Sequence, residues 1–124
     1  MMLVRMRYLI PLVCAVAVGG CTTSVVTADS PGYKALASGD YATAENDFKQ
    51  QQAQNPHDPY LEVDLAAAYQ QLGRLDLAET LDRQAMIDGK GVYPGATTDP
   101  HDQGKTVAEI ACENIGRAHN TSGC

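Results

Sequence analysis

The sequence predicts an all-α fold: two helical hairpins in register, closed by a C-terminal capping helix. Three observations predict it. Gly39 and Gly73 stand 34 residues apart, and the same offset relates Tyr41 to Leu75 and Ala44 to Ala78. Leu61, Leu65, Ala68 and Leu72 recur at helical spacing and mark a buried stripe. Thr106-Val-Ala-Glu109 reads as a capping box, with Val107, Ile110, Ala111 and Ile115 behind it at the same spacing.

The elements follow in order. A short first helix runs from about Pro31 to Ser38, with Asp29 or Ser30 as cap and Pro31 in the first turn. Gly39 and Gly73 each end the first helix of a hairpin, where a left-handed backbone costs a glycine little. Asp58-Pro59 is a cap followed by Pro at the start of the second hairpin. Ala44, Ala66 and Ala78 let helix backbones approach closely, and Tyr41, Phe48, Tyr69 and Leu75 are expected to fill the space between turns. Asp88 to Lys105 holds Gly89, Gly91, Pro94, Gly95, Pro100 and Gly104, and reads as a long loop anchored by Val92 and Tyr93. Residues 106–118 form the helix that covers the last apolar face, followed by a tail to residue 124.

The pattern resembles a known family. Gly39, Tyr41, Ala44, Phe48 and Pro56 in one unit, and Leu65, Ala66, Tyr69, Gly73, Ala78 and Ala85 in the next, resemble the tetratricopeptide repeat, whose period is 34 residues. The resemblance covers residues 31–91, about half the chain. Three positions depart from it: Gln51 stands where a small residue is usual, Asp82 where an aromatic is, and Lys90 replaces the closing proline. The resemblance implies an α-solenoid fragment that binds other proteins, with the first helix of each unit lining a concave face. Here that face would present Tyr33, Leu36, Tyr60, Asp64, Ala67, Gln70 and Gln71 as a partner-binding peptide groove.

The first 20 residues differ from the rest. They hold Arg5 and Arg7, no acid, and an apolar run from Tyr8 to Val18 that is short for a membrane span. That order is the order of a secretory signal. Val18-Gly19-Gly20-Cys21 resembles the lipobox of bacterial lipoproteins, which implies lipidation of Cys21 and removal of residues 1–20. Residues 21–30 would then be a flexible tether. Thr22, standing where Asp would favour inner-membrane retention, points to the periplasmic side of the outer membrane in a Gram-negative source, and to the cell membrane otherwise.

The whole chain carries a net charge of -6, and all 15 acidic residues lie beyond the leader, facing seven basic ones. That balance argues against nucleic acid as a partner, and the acids read as solvated helix faces. Cys112 and Cys124 remain as an even pair in an oxidising compartment, which predicts a disulfide. His57 and His101 each sit in a Pro-His-Asp triplet, better explained as a turn than as metal ligands. No HExxH, GxSxG, Walker or CxxC motif is present, so neither catalysis nor a cofactor or metal is expected. The reading is a membrane-anchored scaffold or adaptor of the bacterial envelope. Its partner would be an envelope protein or peptide, or a second copy of the chain. The alternative is a periplasmic ligand- or metal-binding lipoprotein using the 89–105 loop with His57 and His101.

Overall fold

The computed structural model describes residues 30–124. The leader, the Cys21 lipidation site and the tether through residue 29 lie outside the described residues. Five α-helices follow in order: α1 Pro31–Ser38, α2 Tyr41–Gln54, α3 Pro59–Gln71, α4 Leu75–Asp88 and α5 Val107–Ala118. A single 3-10 turn, Pro100–Asp102, interrupts the long connection between α4 and α5. No strand is present among the described residues.

Each boundary has a local cause. The Ser30 hydroxyl accepts from the Tyr33 amide and caps α1, and Pro31 sits in its first turn. Gly39, at φ 85°, ends α1 in the left-handed region, and Gly73, at φ 76°, plays the same part after α3. Asp40 caps α2 and Asp58 caps α3 through their side chains. At α5 both halves of the capping box form: the Glu109 amide donates to the Thr106 hydroxyl, and the Thr106 amide donates to the Glu109 carboxylate at 2.7 Å.

Gly32 is inside α1 because of a close approach. A Cβ there would lie 2.8 Å from the Phe48 ring, so its missing side chain is the seat of that aromatic. The Gly32 amide also donates to Asp47 at 2.8 Å, which ties α1 to α2.

α1 packs on α2, α2 on α3, α3 on α4, and α5 on both α4 and α3. Two apolar clusters result. The first joins the hairpins through Leu36, Ala44, Phe48, Leu61, Leu65, Ala66 and Ala78. The second joins α3 and α4 to α5 through Val63, Ala85, Val107, Ile110 and Ala111. Tyr60 packs against both. Cys112 and Cys124 are bonded, with their Cα atoms 5.5 Å apart, and the bond ties the tail to α5. Closing a loop of that size contributes about 3 kcal/mol in the chain-entropy account.

The structure corrects four sequence expectations. Leu75 does not fill an inter-helix gap; it is 49% exposed at the start of α4. Tyr93 does not anchor the loop by its ring, which is 62% exposed. Val92 does so instead, packed on the second cluster with its carbonyl accepting from the Val107 amide at 2.8 Å. Leu36 belongs to the core and not to a concave surface. It shares the buried edge of a two-turn helix with Gly32 and Ala35, the i, i+3, i+4 set. Finally, the acids are not all solvated. Glu45, Glu62, Asp82 and Asp102 are buried.

Candidate binding groove

A groove of about 440 Å³ opens between α3, α5 and the 94–102 segment. Its α3 wall is Val63, Asp64, Ala67, Gln70 and Gln71, and its α5 wall is Ile110, Asn114, Arg117 and Ala118. Four of the seven predicted groove residues therefore meet here: Asp64, Ala67, Gln70 and Gln71. Tyr33 and Tyr60 stand next to it, around a second and much smaller crevice formed with Pro94, Gly95 and Ala96.

The loop supplies the third wall because of where it is fastened. The Tyr60 hydroxyl donates to the Tyr93 carbonyl at 3.0 Å. Asp99 accepts from the His101 amide and caps the 3-10 turn. From Pro94 to Asp99 the chain then faces α3 across the groove.

A polar chain runs beneath the floor. Asp82, on α4, is fully buried. It accepts from Gln70 Nε2 and from Asn114 Nδ2, each at 3.2 Å. The Asn114 carbonyl oxygen in turn accepts from Arg117, whose guanidinium also lies 3.5 Å from Asp99. Asp82 thus links α3, α4 and α5, which explains an acid where the repeat usually places an aromatic. Burial pushes its carboxyl up to about 7, against the pull of the Asn114 hydrogen bond. Asp64 is raised to about 7 by burial and then by the charge of Asp58. Asp102 is raised as well, again first by burial. Its Oδ1 has no hydrogen-bond partner among the described residues. Asp64, Asp99, Asp102 and the Arg117 guanidinium line a groove whose remaining surface is amide, hydroxyl and aliphatic.

The two histidine triplets separate. His57 Nδ1 lies 3.3 Å from Asp88 on α4, and His101 lies among Lys105, Asp102 and Glu113. Both triplets are turns, as their prolines imply, and each also brings its histidine to carboxylates. Sequence reasoning missed Asn114, Arg117 and Asp99 as groove residues. The capping-helix assignment carried a usable signal for the first two, since a helix that covers α3 must present its polar edge there.

Residues 35–86 match the family model described as tetratricopeptide repeat. That stretch is a tetratricopeptide repeat. Its two units are the α1–α2 and α3–α4 hairpins, and α5 packs on the second unit as the next helix of an array would. No curated protein and no solved structure matches the chain. Repeats of this family generally mediate protein–protein interaction, and no helix among the described residues is long and apolar enough to cross a membrane.

Proposed function

We propose that this tetratricopeptide repeat protein is a lipid-anchored adaptor of the bacterial envelope. It would hold an extended segment of a partner protein in the groove between α3 and α5. The observation that carries the reading is the groove itself, which places Asp64, Ala67, Gln70 and Gln71 of α3 opposite Asn114 and Arg117 of α5. Its volume suits a few side chains of a peptide. Its excess of carboxyls favours a segment with at least one basic residue. The leader sequence supports the anchor: basic residues, an apolar run, small residues and Cys21 stand in the order of a lipoprotein signal.

Two measurements test it. A photocrosslinker at Gln71 in the full chain should capture one partner in cells, and Ala67→Arg should remove that crosslink while leaving helical content unchanged. Crosslinks of equal yield from the exposed Ile87 on α4 would show that the groove confers no selectivity. Separately, acyl labelling should be lost in Cys21→Ser; labelling that persists would remove the anchor from the proposal.

A further inference from the structure

Glu62 is the second residue of the second hairpin with an unusual setting. It sits in the first turn of α3 and is 0% exposed; neither of its oxygens finds a hydrogen-bond donor, and the group it bonds with when it holds its own proton is the carboxyl of Asp88. A buried carboxyl in that condition is costly to the fold unless something compensates it. Its charged neighbours add to the cost, because Asp88 and Asp58 are both carboxylates. The groups that close the ring are His57, from the turn before α3, and Asp88, the last residue of α4. One ligand atom from each of His57, Glu62 and Asp88 falls within 4.8 Å of the other two.

We infer that His57, Glu62 and Asp88 form a divalent cation site of the zinc class. An imidazole nitrogen and two carboxylate oxygens are a standard donor set for Zn²⁺, with water as the fourth ligand. Tetrahedral bonds of about 2.1 Å place such donors about 3.4 Å apart. The His57–Asp88 separation of 3.3 Å already meets that spacing. The His57 side chain is largely exposed and can move toward Glu62, whose ligand atom lies within 4.8 Å. Gln84 Nε2 donates to Asp88 Oδ2 at 2.9 Å and fixes the orientation of that carboxylate, the outer-sphere part such sites need. A cation here would join the turn before α3 to the end of α4, and so close the second hairpin at its open end.

The other histidine cluster differs in one respect that decides the choice. Lys105 Nζ lies 2.6 Å from Glu113 and 2.9 Å from His101, so an ammonium already supplies the positive charge there.

Zinc alone, added to the full chain purified in detergent without a tag, should bind with one equivalent by calorimetry and raise the melting temperature. Glu62→Gln keeps the shape of the side chain and removes its charge. It should weaken zinc binding at least tenfold, as should His57→Ala, whose exposed position puts the fold at no risk. His101→Ala should bind as the parent does. The inference is overturned if the parent neither binds zinc nor gains thermal stability, if Glu62→Gln binds as tightly as the parent while remaining folded, or if His101→Ala is the variant that loses binding.

Discussion

Phe48→Ala should destabilise the protein by about 3–5 kcal/mol, the range for removing a fully buried aromatic ring. The ring is 0% exposed and lies in the cluster that joins both hairpins. It also fills the hollow left by Gly32, so its loss would open a cavity that α1 is too short to collapse into. Small domains have about 5–15 kcal/mol in total, and a loss of this size should leave α1 detached or the chain largely unfolded. Urea unfolding followed by circular dichroism measures it. Leu77→Ala on the exposed side of α4 is the matched control and should stay within about 0.5 kcal/mol of the parent. A Phe48→Ala variant as stable as that control would mean that the hairpins do not share a core.

The second large effect is on pH. Asp64, Asp82 and Glu62 each have a carboxyl raised far above its ordinary value, to about 7, about 7 and about 8. The first cause in all three is burial. Asp58 adds to the effect at Asp64, and Asp88 and Asp58 add to it at Glu62. At Asp82 the amides of Asn114 and Gln70 and the charge of Arg117 oppose it, while Glu79 reinforces it. A carboxyl raised in the folded state holds its proton more tightly there than in the unfolded chain. The stability this confers is complete below the unfolded value and is lost as the pH rises through the folded one. Glu79, Asp88 and Glu109 act oppositely, since hydrogen bonds from His119, Gln84 and Thr106 lead the effects that lower them. Their stabilisation is lost as the pH falls. The protein should therefore be most stable at about pH 5 and lose stability steadily as the pH rises to about 8. Melting temperatures taken across that range in chelator measure it, and Asp64→Asn should flatten the slope. A melting temperature that climbs steadily from pH 5 to pH 8 would show that the fold does not raise these three carboxyls.

The fold was legible in the sequence because its signals are local. The 34-residue offset between Gly39 and Gly73 reports two turns that need a left-handed backbone, and the capping box at Thr106 reports a helix start. The buried acids were not legible, and α3 shows why. Periodicity assumes a helix with one wet face. α3 lies between α2, α4 and α5 and buries Leu61, Glu62, Val63, Leu65, Ala66, Ala68 and Tyr69 in nearly every direction. On such a helix a glutamate next to a leucine carries no mark of its environment. The groove was half legible for a related reason. The α3 side follows from helical spacing, but the α5 side and the path of residues 94–99 depend on contacts between segments far apart in sequence.

The segment from Pro94 to Asp99 stands opposite α3 as the third wall of the groove, already in place. An incoming peptide would thus meet a rival that is covalently attached. A tethered rival acts at an effective concentration of roughly millimolar, so the apparent affinity of any partner is its intrinsic affinity divided by that competition. Weak, nonspecific peptides would be turned away at no cost in folding, and a true partner would be recognised by its ability to displace the loop or to run beside it. The length of the connection between α4 and α5, rather than the shape of the helices, would then set the threshold for binding.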